Sequence, residues 1–78
     1  MTGAPTREIE LDGAGIRLGQ LLKYAGLADT GADAKALLVG GAVLVNGEVE
    51  TRRGRQLHDG DEVRTGNDAV VVRLGSPR

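Results

Sequence analysis

The stretch Thr30-Gly31-Ala32-Asp33-Ala34-Lys35-Ala36-Leu37-Leu38-Val39-Gly40-Gly41-Ala42-Val43-Leu44-Val45-Asn46-Gly47 changes its period halfway along, and that change decides the fold. Ala34, Leu37 and Leu38 recur at helical spacing, and Thr30 with Asp33 three residues on resembles a capping box. Asp29 and Asp33 also suit the positive end of a helix dipole. A helix is therefore predicted over residues 31–39, with Lys35 turned toward one flank. Gly40-Gly41 stops it, and residues 42–45 read as a strand by their β-branched content. Asn46-Gly47 then turns the chain, and two geometries fit. A two-residue mirror-type turn sets Val45 opposite Glu48, whereas a three-residue loop with Gly47 left-handed sets Val43 opposite Val49. The second unites apolar residues and is the expected one. Beyond the hairpin come the basic loop Arg52-Arg53-Gly54-Arg55 and the turn Asp59-Gly60-Asp61. A glycine-ended helix that feeds a hairpin and then an arginine cluster has the makings of a surface that holds phosphate.

Upstream, residues 17–25 place Leu18, Leu21, Leu22 and Ala25 on one stripe, as a helix of about two to three turns requires. Arg17, Gln20, Lys23 and Tyr24 fall on its other side, Gly26 is a natural stop, and Leu27 can fold back against the helix end. Two short helices so closely joined pack as a helix-turn-helix-like corner. Before them, residues 7–12 alternate Ile9 and Leu11 with Glu8, Glu10 and Asp12, the period of a half-buried strand, and the charged row marks an edge. Gly13-Ala14-Gly15 breaks that pattern. Downstream, residues 51–58 carry little that is apolar besides Leu57 and read as a loop or irregular edge. Residues 62–65 and 69–74, separated by Gly66-Asn67-Asp68, form a second hairpin whose Val63, Val70, Val72 and Leu74 can cover the helices. Residues 1–6 are expected to be a disordered lead-in, residues 7–74 a single domain and residues 75–78 a tail.

Composition limits what this chain can be. At 78 residues it supports one core, built of Leu, Val, Ile and Ala because Tyr24 is its one aromatic side chain. There is no cysteine, hence no disulfide framework and no thiolate metal site. No apolar run approaches the ~20 residues of a membrane span, no signal-peptide pattern opens the chain, and a cytoplasmic location is expected. The formal net charge of -1 gives no reason by itself to expect nucleic acid. Its distribution says more, since three of the ten basic residues fall within residues 52–55.

Catalysis is not expected. His58 is the sole histidine, and no cysteine or carboxylate cluster surrounds it to make a metal site or a nucleophile pair. No glycine fingerprint for a nucleotide cofactor is present, so neither cofactor nor small-molecule substrate is foreseen. Phosphate binding fits better, because the planar fork of Arg52, Arg53 or Arg55 matches phosphate oxygens and Gly54 lets backbone approach closely. An isolated arginine-rich loop is more often a solubilising turn. An expected alignment with Arg17, Lys23 and Lys35 from the helices tips the balance toward phosphate binding. Tyr24 can stack on an unpaired base or simply cap the core with its hydroxyl in water, and Asn46 can bond RNA but is first a turn residue.

Four pieces of the chain together resemble a known family. They are Ile16-Arg17-Leu18 through Leu22, Ala34-Lys35-Ala36-Leu37-Leu38, Gly41-Ala42-Val43-Leu44-Val45-Asn46-Gly47, and Gly60-Asp61-Glu62-Val63. The likeness is to the RNA-binding domain named for ribosomal small-subunit protein S4, the S-four-like domain or αL motif, and in particular to its small free-standing bacterial members. The resemblance implies an α+β fold with the helix corner on a small, bent antiparallel sheet, and binding of structured ribosomal or transfer RNA, in some cases on the ribosome. It maps the RNA-facing side onto Arg17, Lys23, Lys35, Arg52, Arg53 and Arg55. Where many relatives begin the second helix with Ser-Arg, this chain has Thr30-Gly31, which shifts weight onto the arginine loop. The expected protein is a monomeric, non-enzymatic RNA-binding module. The alternatives are a protein-interaction module docking through a sheet edge and an accessory subunit that delivers RNA to a separate enzyme.

Overall fold

The computed structural model describes residues 6–11, 15–66 and 68–75. In chain order these form β1 (Thr6–Leu11), β2 (Ile16–Arg17), α1 (Leu18–Tyr24), α2 (Gly31–Val39), β3 (Val43–Val45), β4 (Glu48–Val49), β5 (Gln56–Leu57), β6 (Glu62–Thr65) and β7 (Asp68–Leu74). Five strands make one sheet in the order β1-β7-β6-β3-β4, and β2 pairs with β5 in a separate two-stranded ribbon. The fold is α+β, with both helices present where the periodicity sets them.

Both helices end by the same device. Gly26 and Gly41 adopt φ of 78° and 77°, a left-handed conformation that costs glycine nothing. The Gly26 N–H donates to Lys23 O and the Leu27 N–H to Leu22 O; Gly41 and Ala42 repeat this with Leu38 and Leu37. These are Schellman closures, and the first draws Leu27 back onto the core as expected.

The core lies between the helices and the inner face of the sheet. α1 inserts Leu18, Leu21 and Leu22, and α2 inserts Ala34 and Leu38, against Val43, Val45, Val63, Val70 and Val72. Each fully buried Leu or Val is worth about 1.5–3 kcal/mol, so three leucines fasten α1 more firmly than one leucine fastens α2. Leu57 of β5, wholly buried, ties the basic loop to the same core.

Three expectations need correction or completion. The sheet is mixed and not wholly antiparallel: β1 runs parallel to β7, with Ile9 beside Val72. An alternating edge strand buries the same face in either direction, so alternation cannot distinguish them. The first hairpin has the two-residue turn and not the three-residue loop: Val45 pairs with Glu48 and Leu44 with Val49. Asn46 takes φ 54° and Gly47 φ 87°, the pair of left-handed residues that a type I′ turn needs. Asn46 is held there from both sides, since its Oδ1 accepts from the Glu62 N–H at 3.0 Å and its Nδ2 donates to Asp61 at 3.0 Å. Val49 is consequently 58% exposed. Finally, the stretch read as loop or irregular edge contains β5, paired antiparallel with β2. Of the expected lead-in over residues 1–6, residues 1–5 lie outside the described residues and Thr6 belongs to β1. Residues 12–14, Asn67 and residues 76–78 also lie outside them.

Candidate functional site

The register of the first hairpin decides where the basic loop goes. With Val45 opposite Glu48, Glu50 falls opposite Val43, and its N–H donates to Val43 O at 3.0 Å. Val43 faces the core, so Glu50 is on the inner side too and is only 7% exposed. A carboxylate there is costly unless it is hydrogen-bonded. Its Oε2 accepts from the backbone N–H groups of Thr51 and Arg52, at 3.0 and 2.9 Å, and from Arg52 Nε at 3.1 Å. Its Oε1 accepts from Arg52 Nη2 at 3.2 Å and Arg55 Nη1 at 3.0 Å. The Arg52 guanidinium and the Arg52 and Arg55 donors hold the Glu50 carboxyl down at about 2, against the opposing effect of burial. The same contact raises Arg52 above its ordinary value.

The far side of the loop is joined to α1. Arg55 O accepts from the Leu18 N–H at 2.8 Å and Arg53 O from the Gly19 N–H at 2.9 Å, so loop carbonyls satisfy donors that a helix start otherwise leaves open. Arg17 Nη1 donates to Gly54 O at 2.8 Å, and the Arg17 N–H donates to Gln20 Oε1 at 3.2 Å. The aliphatic stem of Arg53 lies directly over Gly19, where an added Cβ would collide with Arg53 Cγ. Glycine in a helix costs about 1 kcal/mol relative to alanine, and here it is what lets the loop approach.

A surface groove results between the loop and the two helices, lined by Arg17, Gly19, Gln20, Lys23, Gly31, Ala34, Arg53 and Gly54. Three of these are cationic and none is acidic. Gly31 faces open space, so the Thr30-Gly31 start of α2 leaves its side of the groove without a side chain. Gln20 also borders a shelf formed with Leu11, Gly15, Ile16 and Tyr24, and Tyr24 is 62% exposed.

The predicted site residues thus separate into groups. Arg17, Lys23 and Arg53 line one groove. Arg52 and Arg55 converge instead on Glu50, and Tyr24 stands on the adjoining shelf. Lys35 is exposed on α2 next to Ala34 without lining the groove, and both ends of the Asn46 amide are engaged by Asp61 and Glu62. His58 is exposed, with Nδ1 3.8 Å from Asp61. Sequence reasoning passed over Glu50 and Gly19. Glu50 was legible only through the two-residue turn, which puts an acid in the row of Val43 with arginines two and five residues on. Among the described residues no cluster of His, Cys, Asp or Glu could hold a metal ion, and no helix is long and apolar enough to cross a membrane.

A two-helix corner on a small sheet, with a loop of arginines locked to the start of the first helix, defines a class: residues 9–73 match the S4 domain, and the chain belongs to that family. Within it, the chain is similar to the "Probable ribosome maturation protein RlbA" of Bacillus subtilis (strain 168). The two are 47% identical over 55 residues, which cover 70% of this chain and 78% of that relative.

Proposed function

We propose that this S4-domain chain is a non-enzymatic, cytoplasmic RNA-binding protein that acts as a monomer on structured RNA of the ribosomal or transfer class. Recognition is through phosphate and shape, with little reading of bases. Arg17, Lys23 and Arg53 sit at the centre of the binding face, Arg52, Arg55 and Lys35 at its margin, and Tyr24 offers a stacking surface beside it. Asn46 acts through the hairpin it anchors. The similarity to a ribosome maturation protein favours RNA of the ribosome or its precursors as the target. The observation that carries this reading is the groove with three cationic side chains and no carboxylate along its walls.

The test is a salt-titrated binding assay against ribosomal and transfer RNA, run beside the double change Lys23→Ala with Arg53→Ala. Three phosphate contacts correspond to a log-log salt slope of roughly -3 on the duplex scale, and the double change should flatten it by about two. Affinity should fall across unrelated RNA sequences while the circular dichroism spectrum is unchanged. Absence of binding by the unaltered protein to either RNA would remove this reading and favour docking of a protein on the sheet edge.

A further inference from the structure

We propose that Glu50 is a positioning residue of the RNA site: from the core side of the hairpin it folds loop 50–55 around itself, engages Arg52 and Arg55, and leaves Arg53 to meet phosphate with Arg17 and Lys23. This rests on the RNA-binding reading above and assigns different work to arginines that look equivalent in sequence.

Three observations converge. All five donors to the Glu50 carboxylate come from the loop itself, two from backbone and three from guanidinium groups. Arg52 is gripped by both carboxylate oxygens, a planar match that fixes direction as well as charge. With the N–H groups of Thr51 and Arg52 turned inward to Glu50, the carbonyls of Arg53 and Arg55 point to the Gly19 and Leu18 N–H groups, and the Arg53 stem lies over Gly19 into the groove. Arg53 has no ion-pair partner among the described residues, whereas Arg52 and Arg55 share one. A pre-shaped loop needs no ordering when RNA arrives, and that lowers the entropic cost of binding.

The sign of one substitution separates this from a bystander charge. An acid beside a polyanion site, if it does nothing else, weakens binding, so neutralising it strengthens binding. Glu50→Gln keeps the size of the side chain and removes the charge that organises the loop. It should weaken binding of transfer RNA by about tenfold, the usual scale of a lost charge-assisted hydrogen bond, although the protein becomes more positive. Binding by Glu50→Gln as tight as, or tighter than, that of the unaltered protein overturns the proposal. Should Glu50→Gln fail to fold, two single variants decide. Arg53→Ala should flatten the salt slope by about one and Arg52→Ala, at the margin and already paired with Glu50, by clearly less, and equal flattening by both overturns the division of roles. Amide exchange without RNA keeps this inference apart from the function it rests on. Faster exchange at Leu18 and Gly19 in Glu50→Gln supports positioning even if no RNA is bound, and unchanged exchange there sinks it.

Discussion

The two helices begin by opposite means. α2 is started by its own neighbourhood: Thr30 Oγ1 accepts from the Asp33 N–H at 3.0 Å, and Thr30 O accepts from the Ala34 N–H. α1 has a local contact from the Arg17 N–H to Gln20 Oε1, but its Leu18 and Gly19 N–H groups go to carbonyls of the basic loop, far along the chain. Local capping makes a helix whose start stands alone. Remote capping makes one whose start reports on the loop, and that loop is part of the candidate site. The difference implies that damage to the β5 ribbon, the first hairpin or Glu50 should reach the start of α1 and spare the start of α2.

The largest effect should come from Leu57→Ala. Leu57 is wholly buried, pairs with Ile16 and follows the loop directly, so its truncation should cost roughly 2–5 kcal/mol. That is a large share of the roughly 4–12 kcal/mol expected of a domain this size, and urea unfolding would measure it. Amides of Leu18 and Gly19 should lose exchange protection before that of Ala34. Equal loss at both helix starts would break the comparison.

Asn46→Ala should come next. It removes two side-chain hydrogen bonds to β6 and the preceding turn and leaves alanine in a left-handed conformation, for a combined loss of roughly 2–4 kcal/mol. Since this turn sets the register that brings Glu50 inward, RNA affinity should fall with it. Asn46→Gly, which keeps the turn geometry and loses the amide, should recover part of the stability. No recovery would show that the amide contacts, and not the backbone conformation, hold the register.

How much of this was legible in sequence follows the same division. α2, its threonine cap, both glycine stops and the second hairpin are written in residues a few positions apart, and periodicity found them. The parallel pairing of β1, the β2-β5 ribbon and the inward position of Glu50 depend on which distant segments meet. A charged alternation over residues 7–12 is compatible with either strand direction, and a two-residue strand such as β5 has no period to detect. The union of Val43 with Val49 favoured the wrong turn because it weighed one apolar pair above the left-handed tolerance of asparagine. Six basic residues were expected to act together; three line the groove, and two face a carboxylate that one residue of register brings within reach.

Thr30→Ala tests the independent end. Loss of an N-cap side chain typically costs about 1 kcal/mol, and the Asp33 amide should exchange faster while Leu18 and Gly19 keep their protection. Affinity for RNA should not change, since Thr30 caps α2 from within its own turn and has no part in the loop. A large loss of affinity would mean that the two helix starts are coupled through the groove after all.

The last effect is present at neutral pH and is lost in acid. The Glu50 carboxyl is held at about 2, first by the Arg52 side chain and then by the Arg52 N–H and Arg55, against an ordinary 4.5 when unfolded. A group whose folded value lies below its unfolded value stabilises fully above the unfolded value, and that stabilisation drains away as pH falls toward the folded one. The stability difference between the unaltered protein and Glu50→Gln should therefore stay constant through neutral pH down to about 5, shrink below about 4.5, and vanish near about 2. Because Arg52 remains 75% exposed, water and salt screen the pair, and the difference should narrow further at high ionic strength. Urea unfolding in half-unit pH steps would trace it. If the two proteins are equally stable at every pH, the loop is held by packing on Gly19 and Leu57, and Glu50 is a passenger in a shape that others impose.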